Sequence, residues 1–320
     1  MATPRAKPDF ARFEREIQKF ARDHRRGATD IALRAAHLIA QMPLGDDSGV
    51  AHRRNLEKAC STLLDAHPVM AALWNLADAV LGISPWPATP QMAASMVREG
   101  ARDFIRGMED DLSSTADTAG ELLGRSRKIL THSVSRAVKE TLLARAKRSA
   151  IEVICTESRP MLEGRDMAMT LAKAGIKVTF IPDVVAGAVL SEGRAEAVLV
   201  GSDSISAEGV ANKAGTWLLA MAAHAAGVPF HVVSTHAARL PAAIQDRALQ
   251  ISHPGKEVWS SPPKNVEVIN RAFDRTPLTL VSLVVLGGRV LSGERARTEL
   301  KAFQFSSAVE RLARARGFAL

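Results

Sequence analysis

At 320 residues, with 47% hydrophobic and 24% charged side chains, the chain can bury a full core and is too apolar to be disordered. No unbroken apolar run reaches the roughly 18 residues of a membrane span, and the N-terminus mixes charges where a secretory leader carries an apolar core, so a cytoplasmic protein without membrane contact is expected. The net charge of +8 raises the question of nucleic acid, but the basic residues are dispersed, Tyr is absent and aromatics make up 4%, which argues against a direct nucleic-acid role.

Residues 8–125 read as helices. Phe10, Phe13, Ile17 and Phe20 recur at helical spacing, Ile31, Leu33, Ala35, Leu38 and Ile39 belong to a second stripe, and breaks rich in Gly, Pro and Asp fall at 43–48 and 82–90. From Lys128 the pattern changes to short apolar runs alternating with amphipathic stretches, which predicts a parallel sheet with crossover helices. Strands are expected at 128–132, 151–156, 176–181, 195–201 and 228–233, with helices beginning near Ser133, near Leu162 and at Val184. After 201 a loop and then a helix from about Asn212 to Ala226 are expected, and 266–269 and 278–286 read as further strands or edge elements. The fold class is therefore α/β, with a helical N-terminal domain (1–125) followed by a doubly wound parallel sheet (126–320).

Open parallel sheets bind ligands beyond the carboxyl ends of their strands. Polar residues gather at those positions: His132, Ser133 and Ser135; Thr156, Glu157, Ser158 and Arg159; Asp183; Ser202, Asp203 and Ser204; Ser234, Thr235 and His236. Helix capping is the ordinary reason for Ser, Thr and Asp there. Arg159 is different, because a guanidinium at a strand end suits a carboxylate or phosphate, unless it pairs with Glu157 or Glu163. Asn212 and Lys213 are read at a helix start, where a lysine opposes the helix dipole and an anionic ligand would account for it. Asp203 is either a general acid or base or the ion partner of Lys213. A second anion candidate is Arg25, Arg26, Gly27, Ala28 and Thr29, a basic pair before a glycine at a helix start. Cys60 and Cys155 offer neither a disulfide framework nor metal spacing, and the histidines show no metal spacing, so no cofactor or metal is expected.

The runs at 156–187 and 200–216 (VGSDSISAEGVANKAGT), extended by ILTHSVSRAV at 129–138 and RRGATDIALRAA at 25–36, resemble one superfamily. It contains the alpha, beta and delta regulatory subunits of eukaryotic translation initiation factor 2B, together with the methylthioribose-1-phosphate and ribose-1,5-bisphosphate isomerases. The resemblance implies a helical N-terminal domain, a Rossmann-like C-terminal domain and a homodimer formed mainly through the latter. Carried over by position, it implies a phosphate loop at Arg26, Gly27 and Ala28, a further arginine at Arg159, a catalytic aspartate at Asp203 and an asparagine-lysine pair at Asn212 and Lys213. Where the isomerases have a catalytic cysteine after threonine-histidine, this chain has Ser133. A thiol titrates near pH 8.5 and exchanges its proton; an unactivated hydroxyl does not. The stretch 129–138 is closer to the factor's alpha subunit, whereas Asp203 resembles the isomerases, and the lysine these place after the next strand is replaced by the neighbourhood of Ala238 and Arg239.

The expected ligand is a phosphorylated sugar or a nucleotide-like small molecule. The expected activity is aldose-ketose isomerisation, an intramolecular oxidoreduction in which Asp203 shuttles protons, Arg26, Arg159 and Lys213 hold phosphate and Ser133 hydrogen-bonds substrate. The rival is a non-catalytic regulatory or interaction protein resembling the factor's alpha subunit.

Overall fold

The computed structural model describes residues 10–23, 27–44 and 48–318. The N-terminal helices follow the apolar periodicity: α1 (Phe10–Ala21), α2 (Ala28–Ala40), α3 (Gly49–Ala66), α4 (Ala71–Leu81) and the long α5 (Pro90–Leu122). Phe13, Ile17 and Phe20 turn inward from α1. Thr89 caps α5 by accepting from Met92 N at 3.3 Å, with Pro90 in the first turn where its missing N–H costs nothing. At the centre Trp74 is fully buried, stacked on Phe305 at 6.3 Å and edge-on to Phe318 at 5.4 Å. The C-terminal helix α12 (Ser307–Arg314) thus returns to complete the helical core, contributing Val309 and Ala313.

The main sheet is built from β1 (Lys128–Thr131), β2 (Glu152–Thr156), β3 (Lys177–Ile181), β4 (Ala197–Val200), β7 (Phe230–Ser234), β9 (Leu283–Leu286) and β10 (Arg289–Leu291), in the order β10-β9-β7-β4-β1-β2-β3. Every pairing is parallel except β10 with β9. Central strands are apolar throughout because both faces are covered. Along them Leu130, Val198, Val232 and Val284 face one core, shared with α8 (Ala186–Ser191), α9 (Thr216–Ala225) and α11 (Gly293–Lys301). Their neighbours Ile129, Leu199, Val233 and Val285 face the other, shared with α5, α6 (Arg136–Arg148) and α7 (Gly164–Lys173). The chain leaves β1 toward β2 and β3, then crosses back to add β4 on β1's other side. That reversal is the switch point at which open sheets form their ligand crevice, here at the carboxyl ends of β1 and β4.

The sequence expectation fails between 201 and 216. Instead of a loop and a helix from Asn212, the chain forms a hairpin, β5 (Ser204–Ser206) and β6 (Gly209–Lys213), which pairs with β8 (Phe273–Thr276) in a separate three-stranded antiparallel sheet. Gly209 lets β6 lie directly against β8, since a Cβ there would meet the carbonyl oxygen of Thr276 at 2.5 Å. The helix is delayed to Thr216 because Gly215 takes a left-handed φ of 104° and the Asp274 carboxylate, from β8, accepts the N–H groups of Gly215 (2.7 Å) and Trp217 (3.2 Å). The Ala-rich composition of 214–226 hides this boundary. Residues 266–269 form no strand, and within 278–286 only β9 is one, after a short 3₁₀ turn at Leu278–Leu280.

Candidate functional site

The carboxyl end of β1 turns sharply. Ser133 has a φ of 68° and Ser158, after β2, a φ of 63°. These two left-handed serines lock together: Ser133 N donates to Ser158 Oγ at 2.8 Å, while Asp183, after β3, accepts from Ser158 N (2.7 Å) and Arg159 N (2.8 Å). Neither serine caps a helix; Ser135 does, accepting from Val138 N at 3.4 Å to start α6. His132 is fully enclosed. Its Nε2–H donates to Ala214 O at 3.0 Å, leaving Nδ1 to accept from the Thr156 hydroxyl at 2.6 Å. Burial holds its pKa below the usual imidazole range, against the opposing pull of Asp183 and the Ala214 carbonyl, so it is a neutral strut. Gly215 packs on that ring, where a Cβ would stand 3.4 Å from it.

One close ion pair in the crevice was not revealed by the sequence. Lys213 Nζ lies 2.6 Å from Glu163 Oε1, with both side chains 9% exposed, and also lies 5.1 Å from the centre of the Phe273 ring. The sequence reading weighed Glu163 only as a partner for Arg159 and Asp203 as the partner for Lys213. Instead Glu163, just before α7, turns away from capping that helix and takes the lysine. Its Oε1 also accepts from Ser133 Oγ at 3.4 Å, while its Oε2 is buried without a partner. The sequence offered only the acidic side chain four residues after Arg159; its pairing with Lys213, fifty residues on, carries no local signal.

Asp203 lies just beyond β4. Its backbone is pinned on both sides, N–H donating to Ala211 O at 2.9 Å and carbonyl accepting from Ala71 N at 3.0 Å, so the start of α4 is tied to it. Burial raises its carboxyl pKa to about 7, Lys213 draws it down and Glu163 pushes it further up. A carboxyl titrating near neutrality can both give and take a proton. Ser202 Oγ and Ser234 Oγ are 2.7 Å apart beside it.

The other expected residues divide. Asn212 is buried on β6 and donates to Thr216 Oγ1 at 3.0 Å. Lys213 and Asn212 are therefore strand residues, and the helix-dipole argument for them does not apply. Gly27 and Ala28 open α2, whose first turn faces the β1 turn: a Cβ on Gly27 would stand 3.1 Å from Val134 O, and Arg136 Nη1 reaches Asp30 Oδ1 at 3.3 Å. Arg26 lies outside the described residues. Arg159 is exposed and pairs with neither Glu157 nor Glu163 among the described residues, Glu163 taking Lys213 instead. Cys155 does not replace the missing thiol, since it is buried in the core with a pKa pushed up to about 12 by burial. Behind Lys213 and Phe273 lies a cavity of about 190 Å³, walled by Met70, Met161, Ile251 and Phe273 between the helical layer and the sheet. Among the described residues no cluster of His, Cys, Asp or Glu forms a metal site, and no helix is long and apolar enough to cross a membrane.

The chain as a whole is similar to known proteins. The chain is 31% identical over 294 residues to a methylthioribose-1-phosphate isomerase of Serratia proteamaculans, covering 84% of this chain and 83% of that protein. It is 30% identical over 288 residues to a 5-deoxyribose 1-phosphate isomerase of Moorella thermoacetica, covering 81% and 80%. Its fold is similar to the crystal structure of translation initiation factor eIF-2B from Pyrococcus horikoshii, with a TM-score of 0.74 and 26% identity over 88% of this chain and 97% of that one. Residues 24–287 match the model of the initiation factor 2 subunit family, and the chain belongs to that family.

Proposed function

We propose that the chain is a sugar-phosphate isomerase that converts a phosphorylated aldose to its ketose in the crevice beyond β1 and β4. The observation that carries this reading is Asp203, a half-buried carboxyl with a pKa of about 7 beside the buried Lys213–Glu163 pair. The isomerase relatives support the substrate class. Asp203 gives and takes the proton that moves between neighbouring carbons. Lys213, with its ammonium held by Glu163, together with the N-terminus of α2 at Gly27 and Ala28, binds phosphate; the exposed Arg159 is assigned the same task, as is Arg26 by resemblance. Ser133 hydrogen-bonds a substrate oxygen. The helical part (1–125) and the sheet part (126–320) each supply one wall, and the working form is a cytoplasmic homodimer.

Ser133 in place of a thiol favours a second reading, a regulatory protein that binds a sugar phosphate without turning it over. One experiment separates them. Purified protein is incubated in deuterated water with methylthioribose 1-phosphate, 5-deoxyribose 1-phosphate and further pentose phosphates, and ketose formation and deuterium incorporation are followed by NMR. Ketose product lost in Asp203→Asn supports the isomerase. Saturable binding with no product from any substrate overturns it in favour of the regulatory protein.

A further inference from the structure

At the opposite edge of the sheet, where strands begin instead of end, a cleft of about 650 Å³ is lined by Gly120, Glu121, Gly124, Arg125, Arg127, Arg145, Arg148 and Ser149. Four guanidinium groups, which stay charged at every accessible pH, share it with one carboxylate. Arg145 is the unusual member. It is 6% exposed, Nη2 donates to Gly124 O at 2.7 Å and Nη1 to Ser149 Oγ, and Nε is buried without a partner. Pinning the loop before β1 to the loop before β2 accounts for two of its nitrogens but not for Nε. Arg125 and Arg127 stand two residues apart and form no ion pair among the described residues; Arg148 reaches Glu121 only at 3.6 Å and Asp117 at 3.8 Å. Glu196 meets only the backbone N–H of Arg127, at 2.6 Å, so the buried guanidinium with its unbonded Nε, beside three exposed arginines, is a place that an anion would complete.

We infer that this cleft binds a small phosphate-bearing anion, a site separate from the crevice and independent of any isomerase activity. The ligand is a compact multiply charged phosphate, because arginine forks match phosphate oxygens. The lining carries no aromatic ring on which a nucleic-acid base would stack, and its volume is that of a small-molecule pocket. The strand β1 runs from this cleft to Thr131 at the crevice, so the two sites lie at opposite ends of the same four residues.

The test uses inorganic pyrophosphate as probe, titrated calorimetrically into the full chain at low ionic strength, with hydrogen exchange to locate it. Saturable binding that slows exchange at 124–128 and 145–149, and that weakens by about tenfold or more in Arg125→Ala/Arg127→Ala, is expected. Both side chains are exposed, so that variant should keep the wild-type melting temperature and the wild-type response of the crevice to sugar phosphates. Three outcomes would overturn the inference: equal affinity in the double variant, protection confined to the crevice, or binding matched by chloride at the same ionic strength. A single-stranded oligonucleotide forms a parallel arm; protection of these segments by the oligonucleotide but not by pyrophosphate would replace the small anion with nucleic acid.

Discussion

Asp203→Asn should stabilise the protein while abolishing its proposed chemistry, and the size of the gain should depend on pH in a defined way. The carboxyl titrates near 3.8 when unfolded and at about 7 when folded, because burial disfavours its charge. Below about pH 3 it is protonated in both states and contributes no difference. As pH rises through the interval the unfolded chain ionises first, so stability is progressively lost, and above about pH 7 the full cost is present. That cost is about 4 kcal/mol. An asparagine carries none of it. Urea unfolding of both proteins from pH 3 to 8 should therefore give a difference near zero at the acid end, growing to its plateau above about pH 7, with the variant the more stable. A difference that stays flat across that range would refute the reasoning, since it would mean that Asp203 ionises in the folded protein as readily as in water.

The buried ion pair makes a contrasting prediction. Lys213→Met leaves Glu163 charged and unpaired at 9% exposure and should cost about 3 to 5 kcal/mol in urea unfolding, whereas Lys213→Met/Glu163→Leu should recover much of that stability without restoring ligand binding. Asp274→Ala removes the acceptor for the N–H groups of Gly215 and Trp217 and should destabilise by about 1 to 2 kcal/mol, read by the same unfolding curves. Cys60 and Cys155 are both pushed up to about 12 by burial, so an aromatic disulfide reagent at mild alkaline pH should label neither thiol in the native protein and both on unfolding. Ser133→Cys places a thiol beside Glu163 Oε1, and alkylation of that single added thiol in native protein would report whether the crevice activates it.

The layered fold was legible because its determinants are local. Phe13, Ile17 and Phe20 declare a helix by spacing alone, and the apolar runs at β1, β2, β4 and β7 declare buried parallel strands. The hairpin at β5 and β6 was not legible, since its partner β8 lies some sixty residues downstream and the alanines around Asn212 suit a helix equally well. The same limit applied in the crevice. The cluster of polar strand ends could be located, but which carboxylate meets which cation is decided by three-dimensional proximity: Glu163 reaches Lys213 from the connection after β2, leaving Asp203 to be tuned mainly by burial. Asp183 was recognised as a strand-end residue, yet its work is to accept two backbone N–H groups from 158 and 159, which hold the left-handed Ser158 in place.

The seating of Trp74 between Phe305 and Phe318 also bears on how the protein is made. During synthesis α4 leaves the ribosome more than two hundred residues before the rings that will cover it. Until then the indole lacks these two ring contacts, and the part of the helical core that α12 completes stays uncovered while the sheet is translated. Such a long interval with an unfinished apolar surface invites association with other chains. A short deletion at the carboxyl end should accordingly do more harm to solubility on expression than its few residues suggest, by leaving the amino-terminal third permanently in the state it normally passes through.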